Sequence, residues 1–237
     1  MRFEAEITPA DDLPGLLAAA APPLIDGDVV VVSHKAVSKW EGRVVDLATV
    51  EPSDRAVELA GDGGDPRHTE LVLRESRRIV RRRGSLLIAE THHGFVCASA
   101  GIDRSNAPGA DMAILLPADP DASARALRAS LEQTSGARLA VVIADTMGRP
   151  LRNGIVGTAI GVAGIAPLRG YQGAVDPAGY ELRTTSVSVA DELAAAAELA
   201  MGKTDAVPAA LVKGAPYQAG DGNARELRRP AEHDLFR

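Results

Sequence analysis

Asp145 and Thr146 follow at the end of the apolar, β-branched run at residues 139–143, after Ala144, so a carboxylate emerges where a buried strand should end. Gly148, Arg149, Pro150, Arg152, Asn153 and Gly154 come next, placing two guanidiniums in a glycine-bearing loop. An acid fixed at a strand end and followed by arginines suits a metal and a phosphate, because carboxylate oxygens hold hard cations and the arginine fork matches oxyanions. An Asx turn closing a strand accounts for the same residues on their own. The pattern then occurs a second time. Asp103 stands just after the apolar run at 95–100 and leads into Arg104, Ser105 and Asn106, so two acids from different strands could converge on one divalent cation. Lys35 and Lys39, after the four valines at 29–32, are either a solvated strand end or point charges for a phosphate.

The elements that must position these residues are read from caps and periodicity. Asp11-Asp12 before Leu13-Pro14 open a short helix over 13–21, which Pro22-Pro23 stop. Residues 28–33 read as a strand buried on both faces, and 33–43 as its exposed continuation. The glycine-rich stretch within 50–66 reads as a flexible insertion. A helix is expected over 67–83, with Arg77, Arg78, Arg81, Arg82 and Arg83 crowding its end as a solvated face or an anion-binding surface. Strands at 85–89 and 95–100 are joined through His92-His93-Gly94. Adjacent histidines on a strand face opposite ways, so a turn is preferred there to a metal site.

Cys97 lies in an apolar strand with no basic neighbour and reads as an inert buried thiol. A strand over 112–116 and a helix from Asp119-Pro120 to the closing Gly136 lead back to the strand before Asp145. Residues 158–165 alternate small and apolar side chains, a strand that something approaches closely. Asp176 to Gly179 are turn chemistry between strands at 168–173 and 180–185. A helix over 189–201 and a strand over 209–213 complete the framework, with a polar tail from Ala215 wrapping the surface or a partner. Strand and helix do not alternate regularly, which disfavours a doubly wound sheet and favours a mixed α+β fold. Gly202-Lys203-Thr204 ends a helix instead of starting one, so it is no P-loop.

Composition narrows the function class. The 237 residues carry a net charge of -6 and only 3% aromatic side chains, which argues against nucleic-acid binding. No apolar run is long enough to span a bilayer. One cysteine excludes an intramolecular disulfide, no signal peptide is recognised, and the expected location is the cytoplasm. The expected partner is a small molecule.

Five segments together carry a specific resemblance: PADDL from Pro9 to Leu13, SHKAVSKWEGR from Ser33 to Arg43, HGFVCASAGIDRSN from His93 to Asn106, ADTMGRPLRNG from Ala144 to Gly154 and MGKTDAVP from Met201 to Pro208. In this order the chain resembles the coenzyme F-420-0:L-glutamate ligase family, the γ-glutamyl ligases that add glutamate to a deazaflavin coenzyme. The resemblance implies GTP-dependent amide ligation through an acyl phosphate, with magnesium or manganese and also potassium. It implies Asp103, Asp145 and Thr146 as metal ligands. It implies GTP contacts from Ser33, His34, Lys39 and Asn106, and from Met201, Gly202, Lys203, Thr204, Asp205, Ala206, Val207 and Pro208.

For architecture it implies one ligase domain over residues 1–237, with mixed and antiparallel sheets, flanking helices and two lobes per subunit in an intertwined homodimer. Arg149 and Arg152 are assigned from charge and position, as contacts to the transferred phosphoryl group or a substrate carboxylate. Two departures stand out. Residues 3–7 read FEAEI where the family usually carries a Leu-Pro-Glu type loop, and Lys203 stands where some members have glutamine. No flavin-binding reductase domain, present in some bacterial members, is expected here. The alternatives are a silent deazaflavin- or nucleotide-binding protein on the same scaffold, or a ligase for another carboxylate.

Overall fold

The computed structural model describes residues 1–3 and 6–235. Glu4 and Ala5 of the divergent N-terminal segment, and Phe236 at the other end, lie outside the described residues. In chain order the helices and strands are α1 (Leu13–Ala20), β1 (Val29–Ser33), α2 (His34–Trp40), β2 (Val44–Asp46), α3 (Asp54–Ala60) and α4 (Pro66–Arg74). Then come β3 (Ser76–Arg83), β4 (Leu86–Thr91), β5 (Val96–Ala98), β6 (Met112–Ile114) and α5 (Pro120–Ser135). The chain continues with β7 (Ala140–Arg149), β8 (Arg152–Ala163), β9 (Leu168–Gly170), β10 (Ser186–Ser188), α6 (Val189–Met201) and β11 (Ala209–Val212). The fold is mixed α+β.

A four-stranded sheet in the order β11-β1-β7-β8 carries the centre. β1 runs parallel to β7 and antiparallel to β11. Alternation along the two parallel strands divides the core. Val30, Val32, Val141 and Ile143 face a cluster with Leu13, Leu17, Leu127 and Leu131 of α1 and α5, while Val29, Val31, Val142 and Ala144 face Leu193, Ala194 and Ala197 of α6. Both faces of the sheet are therefore covered, and the valine run is explained by burial on each side. A third cluster packs α3 and α4 against the β3-β4-β5 sheet through Leu59, Leu71, Val72, Leu87 and Ala89.

Caps fix the helices as expected at several ends. Asp12 accepts from Gly15 N and Asp119 from Ala122 N, and Gly136 closes α5 in the left-handed conformation. The close approach expected along 158–165 is made by α5: a Cβ at Gly161 would collide with the backbone of Pro120. The α6 backbone at Ala194 crowds Gly157 in the same way.

Four expectations are corrected. The helix over 67–83 stops at Arg74, and the arginines from Arg77 to Arg83 lie on β3, an edge strand paired antiparallel with β4. Ile79 and Val80, spaced as heptad partners of Val72 and Leu73, instead serve a strand whose other side chains are arginines and Ser76. Residues 34–40 form helix α2 rather than an exposed strand end, because Ala36 and Val37 turn back into the core. Within the supposed insertion, Ser53 caps α3 by accepting from Ala56 N, and Ala56, Leu59 and Ala60 are buried. The strand expected over 180–185 forms later, as β10, which pairs with β9 through Ser188 and Leu168. Asp176 nevertheless makes the expected turn, accepting from Ala178 N and Tyr180 N.

Candidate active site

The parallel register aligns Ser33 with Ala144, so the next residues, His34 and Asp145, stand side by side where β1 ends and β7 runs on beside β8. Both continue the same face as Val32 and Ile143. This is the carboxyl end of parallel strands, where open sheets place their ligands. Asp103 arrives from another direction. A turn through Ser99, Ala100 and Gly101, all at positive φ, delivers it to a two-hydrogen-bond bridge with Ile114. Non-glycine residues tolerate that conformation only where the surroundings enforce it.

The three side chains meet. His34 Nε2 lies 3.1 Å from Asp103 Oδ2 and 3.3 Å from Asp145 Oδ1, and one ligand atom from each residue falls within 4.8 Å of the others. His34 is buried and its Nδ1 has no partner. Burial alone would discharge the ring, but the charges of Asp145 and Asp103 and their hydrogen bonds hold its pKa at about 9. Burial likewise works against the Asp103 carboxylate, yet the hydrogen bond and charge of His34, with Lys35 beside it, keep its pKa below the ordinary value. Lys35 Nζ lies 3.3 Å from Asp103 Oδ2 and donates to Ser105 Oγ at 2.7 Å.

On the opposite face of β7, the Thr146 hydroxyl accepts from Lys203 Nζ at 3.0 Å, and that ammonium pairs with Glu198 at 2.5 Å. Gly202, at φ +61, turns the chain off α6 so that Lys203 reaches back to the sheet. Asn106 and Ala206, also at positive φ, line the cleft between these groups.

The cleft encloses about 430 Å³ and is lined by Ser33, His34, Lys39, Asn106, Asp145 and Thr146. Met201, Gly202, Lys203, Thr204, Ala206, Val207 and Pro208 also line it, as do Phe3, Glu6 and Ile7 of the N-terminal segment. Asp103 stands behind it, joined through His34 and Lys35. Asp205 is the member of the 201–208 segment that does not line the cleft. It is exposed, and its carbonyl accepts from the Arg2 guanidinium. Arg149 and Arg152 oppose each other at the exposed tip of the β7–β8 hairpin, four residues beyond Asp145, or about 13 Å along an extended strand.

Lys39, singled out from sequence, is tied to Glu6 at 2.6 Å. Glu198 was missed; its place one helical turn before Met201 on α6 was the available signal. His92 and His93 take separate partners. Their Nε2 atoms face the carbonyl oxygens of Arg74 and of Pro117 and Ala118, respectively. Cys97 is buried, and burial, with a smaller contribution from Asp145, pushes its thiol up to about 12.

The family model for F420-0:Gamma-glutamyl ligase matches residues 4–214. The chain belongs to the F420-0:gamma-glutamyl ligase family. Relatives of this family include the coenzyme F420:L-glutamate ligase of Methanothermobacter thermautotrophicus, 46% identical over 90% of this chain and 86% of that protein. The protein of the same name from Methanopyrus kandleri is 44% identical over 99% of this chain and 95% of its own length. That from Methanocaldococcus jannaschii is 43% identical over 91% and 86%. The family match thus covers the cleft segments from Ser33 to Pro208, while Phe3, which also lines the cleft, falls outside it.

Proposed function

We propose that this chain is a GTP-dependent ligase that joins L-glutamate to the carboxylate of coenzyme F420-0 and then adds further γ-linked glutamates. The observation that carries the reading is the triangle of buried His34 and Asp145 with half-buried Asp103, beside a cleft lined by lysines. A carboxylate acylates an amine poorly. In the proposed reaction its oxygen attacks the γ-phosphorus of GTP, GDP leaves, and the acyl phosphate forms. The glutamate amine then attacks the carbonyl carbon, inorganic phosphate leaves, and the amine gives up a proton.

The donor set fits a divalent ion. Asp103 and Asp145 offer hard carboxylate oxygens of the kind magnesium and manganese take, and the Thr146 hydroxyl, on the other face of β7, would serve a separate ion. Such an ion, when bound, neutralises charge on the phosphate oxygens during transfer. The chain's own residues do the rest. Lys39 and Lys203 present ammonium groups to the cleft, Asn106 offers its amide, and the backbone of 201–208 forms the wall against which the nucleotide lies. Arg149 and Arg152 reach from the hairpin tip toward the far, anionic end of an extended substrate, where paired guanidinium N–H groups suit carboxylates. The working unit is a two-lobed subunit in a homodimer, in the cytoplasm.

The test incubates the protein with GTP, manganese or magnesium, L-glutamate and F420-0, following the coenzyme's mass and GDP release. Gain of a glutamyl residue with matching GDP supports the reading. Absence of glutamyl addition with every nucleoside triphosphate overturns it.

A further inference from the structure

Three lysines line the cleft, and only one of them touches the carboxylate triangle. Lys39 is occupied by Glu6, and Lys203 by Glu198 and Thr146. Lys35 Nζ instead approaches Asp103 Oδ2, the same oxygen that takes His34 Nε2. Its second contact, Ser105 Oγ, is a neutral hydroxyl that itself faces Asp103 Oδ1 at 3.5 Å. Two cationic side chains therefore converge on one carboxylate oxygen.

Resting on the proposed reading of this cleft as a metal and phosphoryl site, we infer that Lys35 is a resident competitor of the divalent ion. It neutralises Asp103 while the site is free of metal and moves to a phosphate oxygen when ion and nucleotide enter together. A divalent ion on Asp103 would sit within a few ångströms of the ammonium, and like charges at that range repel strongly in a partly buried site. The lysine arm can leave. It is a flexible four-carbon stem bearing a point charge, it already borders the cleft, and its other anchor among the described residues is a neutral hydroxyl. Phosphate oxygens are the anionic acceptors that the bound nucleotide would bring. The ammonium thus links the two ligands: each makes the other's binding easier, and the linkage is reciprocal.

The test is manganese binding by electron paramagnetic resonance on the full chain, with and without GTP, comparing wild type with Lys35→Met and Lys39→Met. Without nucleotide, Lys35→Met should bind manganese roughly tenfold tighter than wild type, as expected when a close competing charge is removed. Lys39→Met should change affinity by less than about twofold, because its charge is already matched by Glu6. GTP should strengthen manganese binding more in wild type than in Lys35→Met. Lys35→Gln repeats the measurement should the methionine variant fold poorly.

Equal or weaker manganese binding in both Lys35 variants without nucleotide overturns the inference, as does an equal gain in Lys39→Met. A wild type that ligates glutamate yet binds no manganese overturns it while leaving the ligase reading standing. The expected manganese pattern in a protein that adds no glutamate supports the inference and defeats the ligase reading.

Discussion

His34 Nε2 lies 3.3 Å from Asp145 Oδ1, and the pair exists because the parallel register of β1 and β7 sets Ser33 opposite Ala144. Neither residue was placed beside the other by anything local in the sequence. The imidazolium holds together two carboxylates that would otherwise repel in a largely buried site.

Replacing His34 with Gln removes that charge and should destabilise the metal-free protein by about 2 kcal/mol, a value reduced for the partial exposure of Asp103. In EDTA the melting temperature should fall by roughly 4–8 °C, and manganese should restore more of it than it adds to wild type. An unchanged melting temperature in EDTA would show that the carboxylates need no counter-charge.

Cys97 should be silent toward thiol reagents. Its folded value of about 12 lies above the ordinary thiol value of about 8.5, so folded protein at pH 8 carries almost no thiolate. Because the shift is upward, the neutral thiol's contribution to stability is fully present below about pH 8.5 and is lost as pH rises toward 12. Iodoacetamide labelling at pH 8 should be slow in buffer and fast in denaturant. Rapid labelling of the native protein would contradict the burial.

Gly161 is a packing residue for α5. Gly161→Val forces a side chain into the Pro120 backbone and should cost about 1–3 kcal/mol, read as a lower urea midpoint. A midpoint equal to wild type would mean that α5 does not seat on β8 as described.

Arg149→Ala and Arg152→Ala test the hairpin tip. Each should raise KM for the deazaflavin substrate by about tenfold, with a much smaller change for GTP, since the tip lies about 13 Å along the strand from Asp145. If both variants keep activity and substrate affinity unchanged, neither arginine contacts substrate.

Much of the framework was legible because its signals are local. Asp119, Pro120 and Gly136 mark both ends of α5, and Asp12 with Pro14 marks α1. Where signals conflicted, the reading failed. Ile79 and Val80 match a helical spacing from Val72 and Leu73 as well as a strand, and only pairing with β4 decides between them. Helix α2 escaped notice because it springs directly from β1 with no side-chain cap at Ser33. For the site, strand-end acids at 103 and 145 were visible as residue types. Their convergence depends on strand register and on three consecutive positive-φ residues before Ile102, which are tertiary outcomes. The partners of Lys35 and Lys203 were invisible for the same reason.

In the proposed reaction Asp103 and Asp145 hold the ion that serves phosphoryl transfer from GTP. Its most direct test is glutamyl addition to F420-0, measured across a manganese titration for wild type, Asp103→Asn and Asp145→Asn. Wild type should release one GDP per glutamate joined, and each variant should lose at least about a hundredfold in activity at all manganese concentrations. Full activity in Asp145→Asn would contradict the metal assignment.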